Sequence, residues 1–123
     1  MKKSLKIAFH LFNLILILLY LYPGSLLGRI IYADSNYEFQ ITRDFIFSSN
    51  HVYAFAFLST IGLWSYLNDE KFNFVVKYLF VLSITLELLH ILIPVRSFEF
   101  NDLFGNILGV IIPFGLYKTW RKI

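Results

Sequence analysis

Cysteine does not occur in the 123 residues. That excludes disulfides, thiolate metal sites and a cysteine nucleophile. Charge is also scarce: 15% of the chain is Asp, Glu, Lys or Arg, against roughly a quarter in soluble domains. No glycine-rich phosphate loop, nucleophile elbow or paired zinc-ligand motif occurs, so the sequence by itself offers no nucleotide site and no expected metal or other cofactor. Apolar surface fills the gap. Hydrophobic residues make up 58%, with 14 Phe and 8 Tyr, and the mean hydropathy is +0.65. A chain this short exposes much of its surface however it folds, so lipid is the natural solvent for the excess. The net charge of +3 does not point to nucleic acid, because the basic residues sit in short clusters flanking apolar runs, as topology signals do.

Four apolar runs predict an all-α, polytopic membrane protein of one domain over 1–123, a four-transmembrane-helix bundle with helices at about 5–22, 51–67, 74–93 and 102–117. The first run is about 18 residues, close to the roughly 20 that cross about 30 Å of hydrocarbon. Its basic start resembles a signal peptide, but the apolar run is long and Tyr-Pro-Gly-Ser is a poor cleavage site, so a retained helix is expected. Between the first two runs lies an extended loop with turn residues at Gly24, Gly28, Asp34 and the Ser48-Ser49-Asn50 stretch. Within it, Tyr37, Phe39 and Ile41 alternate with Glu38, Gln40 and Thr42, which predicts a short extended stretch. Phe45-Ile46-Phe47 is expected to dip into the membrane interface.

Orientation follows from Lys and Arg near the helix ends. One side collects Lys2, Lys3, Lys6, Lys71, Lys77, Lys118, Arg121 and Lys122; the other collects Arg29, Arg43 and Arg96. The richer side should be cytoplasmic, which places both termini inside an inner (cytoplasmic) membrane and the long loop outside. Trp120 among cations reads as an interfacial anchor.

Glu87 is the most informative residue. It falls inside the third run, about two turns before Pro94, and an ionised carboxylate facing lipid is costly. His90 shares its helix face. The fourth run answers with Asp102 and Asn106 at i and i+4, His51 opens the second run at the same boundary, and Arg96 and Glu99 sit in the turn above. These seven residues are expected to converge on a polar pocket opening outward. Each alone also has a structural use as an interhelical hydrogen bond, worth on the order of 0.6 to 2 kcal/mol, and Arg96 with Asp102 would make a boundary ion pair. His10 and Asn13, in the other half of the first helix, read as packing residues. Gly105-x-x-x-Gly109 is a small-xxx-small pattern for close helix approach, suited to packing within the chain or to a homo-oligomer.

The stretch Glu87-Leu-Leu-His90, then Pro94-Val-Arg96-Ser-Phe-Glu99-Phe-Asn-Asp102-Leu-Phe-Gly-Asn106-Ile-Leu-Gly109, resembles the signature of VanZ-like membrane proteins: E-x-x-Q, P-G-R, an acidic position, and D-x-x-x-N-x-x-G. Asn50-His51 is similar to the family as well. Three positions depart from it: His90 stands in place of glutamine, Val95 in place of glycine, and no Asp-Lys pair precedes His51. The resemblance implies a small bacterial membrane protein and, through the name-giving members, a link to low-level resistance to teicoplanin, a glycopeptide directed at cell-wall precursors.

Three functions fit these residues. In the first, the pocket binds a cell-envelope ligand without transforming it, Arg96 meeting a phosphate or carboxylate through parallel hydrogen bonds; a lipid-linked precursor is the ligand class that the resemblance implies. In the second, the chain is an intramembrane enzyme with Glu87 as acid or base, or a metal-dependent one in which Asp102 and His51 complete the Glu87–His90 pair. In the third, it is an assembly partner docking another membrane protein through Gly105 and Gly109.

Overall fold

The computed structural model describes residues 2–34, 36, 40–44 and 46–122. Among them are five helices: α1 (Lys2–Leu21), α2 (Leu26–Tyr32), α3 (Ser49–Ser65), α4 (Phe72–Leu89) and α5 (Phe100–Lys122). The protein is all-helical over these residues, and three helices, α1, α4 and α5, are long and apolar enough to cross a membrane. The α3 helix, expected as a fourth span, has 17 residues and is not among them. It carries serines and packs against α1, α4 and α5, so much of its surface meets protein and has less need to be apolar.

The helices alternate in direction. Lys2 Nζ donates to Leu67 O at 2.6 Å, Lys6 pairs with Asp69 at 2.7 Å and Arg121 reaches Asn68 at 3.5 Å. Both terminal segments therefore share one end of the bundle with the α3–α4 turn. The opposite end gathers the finish of α1, the start of α3, the finish of α4 and the start of α5. In cross-section α3 and α4 form the middle pair, with α1 and α5 packed on them. Phe9, Leu16, Phe55, Leu58, Leu79, Leu86 and Val110 fill the centre. Outward, α1 presents Ile7, Leu11, Leu14 and Leu18, each 54–56% exposed, a helical stripe suited to acyl chains. Acyl chains are as apolar as leucine, so close packing rather than hydrophobic expulsion holds such helices together. The glycines show where. A Cβ on Gly109 would come within 2.6 Å of Phe55 Cβ and 2.7 Å of Val52 O, and one on Gly105 within 2.9 Å of Ser48 O. The small-xxx-small face of α5 is thus taken up inside the chain, against α3.

Helix boundaries differ from expectation in three places. The α4 helix stops at Leu89 rather than near residue 93, because a helix continued to Pro94 would set the proline ring against the His90 carbonyl and force Ile93 out of its preferred backbone. The chain there tightens into turns in which His90, Ile91 and Leu92 each donate to the carbonyl three residues back, as helix ends commonly do. The α5 helix continues past Pro113 to Lys122; proline removes one bond but is tolerated in such helices. The long connection contains α2, hidden from a periodicity reading by its seven residues. Ser25 caps it by accepting from the Gly28 N–H at 3.0 Å, and Ala33 closes it with φ 56. The extended stretch expected over Tyr37 to Thr42 rests partly on residues outside those described, as does Phe45. Of its neighbours, Phe47 packs edge-on against Phe104 with centroids 5.9 Å apart.

Candidate functional site

At the end opposite the termini, the helix ends enclose a cleft of about 770 Å³, within the range of small-molecule sites. Its lining is mixed: Leu16, Leu19, Leu26, Leu27 and Phe57 are apolar, and His51, His90, Arg96, Ser97, Glu99 and Asp102 are polar or charged. Five of the seven residues expected from sequence line this cleft. The other two, Glu87 and Asn106, are fully buried and stand behind it.

The protons can be assigned from donors and acceptors. Asn106 Nδ2 donates to Ser83 O at 3.0 Å, which turns its Oδ1 toward α1 and α3. There Oδ1 accepts from the Tyr20 hydroxyl at 2.6 Å and meets His51 Nδ1 at 2.8 Å. An amide oxygen only accepts, so Nδ1 carries the His51 proton. The remaining nitrogen, Nε2, faces Asp102 Oδ1 at 3.7 Å. His90 is fixed in the same way: its Nε2 lies 2.9 Å from the Tyr20 carbonyl and must donate. Its Nδ1 is 3.3 Å from Glu87 Oε1. One proton therefore belongs to the Glu87–His90 pair, held on carboxyl or ring. Glu87 Oε1 also accepts the Glu99 N–H at 3.1 Å. Its Oε2 is buried with no hydrogen-bond partner among the described residues.

Arg96 has a structural duty. Its Nε donates to Tyr22 O at 3.1 Å and an Nη2 hydrogen to Leu19 O at 3.0 Å, closing the carbonyl end of α1 where cations are favourable. Among the described residues, three of its five N–H donors remain. The Arg96–Asp102 ion pair considered above is not found among the described residues; Asp102 faces His51 instead.

Tyr20 is the residue that sequence reasoning missed. It is buried at 7% exposure, its hydroxyl reaches His51 and Asn106, its carbonyl holds His90, and its ring stacks on His90 at 5.7 Å and 17°. A tyrosine in an apolar run gives no sign of this except its place at the same boundary. Asp44 is a second such residue. Its Oδ1 accepts from both the N–H and the hydroxyl of Ser49 at 3.0 and 3.2 Å and secures the first turn of α3 beneath His51. At the other end, His10 bonds Tyr66 at 3.0 Å and Asn13 accepts from Tyr78 at 2.7 Å, the packing role expected of both.

A scan of family models matches VanZ/LLP1 over residues 6–121, nearly the whole chain. The chain belongs to the VanZ/LLP1 family. No curated protein and no solved structure matches it. Val95, in the turn that follows α4, has φ 68, in the left-handed region that glycine enters freely and a β-branched residue does not.

Proposed function

We propose that this VanZ/LLP1 protein crosses the bacterial cytoplasmic membrane four times, with both termini inside, and that its outward-facing cleft binds the phosphate-bearing headgroup of an envelope lipid without transforming it. Supporting the fourth span, α3 rises about 26 Å at 1.5 Å per residue and runs between the same two bundle ends as the other three. Supporting the orientation, about eight basic residues flank the terminal end and about three the cleft end.

The observation that carries the ligand class is the cleft's mixed lining, leucines and a phenylalanine together with histidines, acids and Arg96, which suits a molecule with an acyl or prenyl chain and a polar head. Arg96 lines this cleft with three donors beyond those that close α1, enough for a forked contact to phosphate. The buried glutamate does not reach the cleft surface, so the geometry favours binding over acid–base chemistry by Glu87. The Gly105–Gly109 face, being occupied by α3, favours packing within the chain over docking of a partner; a homo-oligomer would use another face. Glycopeptide resistance is the physiological setting that family analogy suggests.

The test is retention of polyprenyl phosphate against uncharged polyprenol by the full chain in nanodiscs, read by native mass spectrometry. The phosphate form should be retained preferentially. Arg96→Ala should reduce that preference about tenfold or more, the size of a lost charge-assisted hydrogen bond, and Arg96→Lys should restore part of it. Because Arg96 also closes α1, the variants are compared at matched melting temperature. Equal retention of both lipids by the unaltered chain removes the headgroup reading. Activity on a lipid-linked substrate, abolished by Glu87→Gln, would favour an enzyme instead.

A further inference from the structure

At the cleft wall, three ligand-type side chains from three helices converge. One donor atom each from His51 on α3, Glu87 on α4 and Asp102 on α5 lie within 4.8 Å of one another. We propose that these residues hold a divalent transition-metal ion whose open coordination positions face the cleft. The ion itself follows from the side chains alone; its use in gripping a phosphate headgroup rests on the cleft being a ligand site, as proposed above.

Three observations carry the inference. The first is the state of His51. Asn106 Oδ1 takes the Nδ1 proton, so Nε2 is the nitrogen turned toward Asp102 Oδ1, 3.7 Å away. Without a proton or a metal ion on Nε2, two lone pairs would face each other there and repel. For bonds of about 2.1 Å, donors around one ion sit about 3.0 to 3.5 Å apart, so small side-chain rotations close the set. Metal-bound histidines also give their second N–H to an oriented acceptor, and Asn106 is such an acceptor, pinned by Ser83 and Tyr20.

The second observation is Glu87 Oε2, a fully buried carboxylate oxygen without a hydrogen-bond partner among the described residues. A buried group of this kind calls for an ion, a proton or a water. The third is charge. Glu87 and Asp102 are two carboxylates within 4.8 Å at the edge of an apolar bundle; with the Glu87–His90 proton counted, a dication takes the group from −1 to +1, the sign that an anionic headgroup needs. The cleft also carries Asp44 and Glu99. A metal ion with open positions adds to the pull of Arg96 on a phosphate by reversing the sign of this acidic lining. One imidazole with two carboxylates is a ligand set suited to manganese, iron or zinc. His90 is not a member, since its Nε2 is spent on the Tyr20 carbonyl.

The competing arrangement places protons where the ion would be: an imidazolium His51 against Asp102, with Glu87 and His90 sharing one hydrogen. It binds no metal. The experiment uses the full chain in detergent, stripped with EDTA and free of added lipid, titrated with Mn²⁺ and followed by electron paramagnetic resonance. One ion per chain is expected, with nitrogen hyperfine coupling from a single imidazole. Asp102→Asn and His51→Gln should each weaken binding about tenfold or more, the least that loss of even an outer-shell partner costs, while His90→Gln should leave one ion bound. No ion on the unaltered chain, bound Mn²⁺ without nitrogen coupling, or loss of binding in His90→Gln overturns the assignment. The spectrum of the unaltered chain decides even where a variant fails to fold. Retention of polyprenyl phosphate is then compared with and without Mn²⁺. Ion binding without phosphate retention rejects the headgroup reading and keeps the metal; phosphate retention by a chain that binds no ion does the reverse.

Discussion

Deleting the hydroxyl of Tyr20 would leave His51 Nδ1 and Asn106 Oδ1 bonded only to each other, with a small gap where the oxygen stood. Tyr20→Phe is expected to cost about 1 to 3 kcal/mol, the range for a disrupted buried hydrogen bond, visible as a lower thermal midpoint in detergent. Val95 predicts the opposite sign. Its left-handed backbone costs roughly 1 to 2 kcal/mol for a residue with a Cβ, and at 79% exposure the side chain gains little from packing. Val95→Gly should therefore raise stability by up to about 1 kcal/mol, the remainder being lost to glycine's greater unfolded-state freedom. A lower midpoint would show that the valine makes contacts its exposure does not suggest.

Among the helices, α3 and α5 approach most closely at Gly109, where an added methyl would meet both the Phe55 side chain and the Val52 carbonyl. Backbone cannot step aside as a flexible side chain can. Gly109→Ala should destabilise the bundle by about 1 to 3 kcal/mol, the usual cost of overpacking. Gly115 lies on the same helix, and a Cβ there would meet nothing within 4 Å, so Gly115→Ala should be neutral or gain up to about 1 kcal/mol from helix propensity. Thermal melts of the two variants side by side check the pair. Equal effects would mean that helix propensity, not contact with α3, decides what α5 tolerates. The spacing of Gly105 and Gly109 was legible as a packing face. Which helix would fill it was not, because a small-xxx-small pattern says nothing about its partner.

For the molecule as a whole, the alternating helices bring the termini to one end. Absence of native cysteine makes this measurable with single substitutions. Ser97→Cys should react with an impermeant maleimide added to intact cells, and Thr119→Cys only after permeabilisation; the reverse pattern would invert the proposed orientation. The terminal end also carries a pH-sensitive strap. The hydrogen bond from Lys6, then that from the Lys71 N–H, holds the Asp69 carboxyl below its ordinary value near 3.8. A lowered folded-state pKa contributes stability above the unfolded value that is lost as pH falls through the folded one. Melting midpoints should therefore drop on acidification below about pH 4, with a shallower slope in Asp69→Asn than in the unaltered chain. Matching slopes would exclude the strap.

Sequence alone determined that the chain is helical and membrane-bound, because apolar runs of 16 to 20 residues and clustered cations leave few other physical states. It also determined that Glu87, His90, Asp102 and Asn106 lie near one depth, since antiparallel helices joined by a short turn must match their ends. Tertiary structure decided the rest. It chose which carboxylate reaches the cleft, spent two of the Arg96 donors on the end of α1, and placed Tyr20 at the hub. Those outcomes depend on side-chain direction and on competition between neighbouring donors and acceptors, which neither helical periodicity nor residue type encodes.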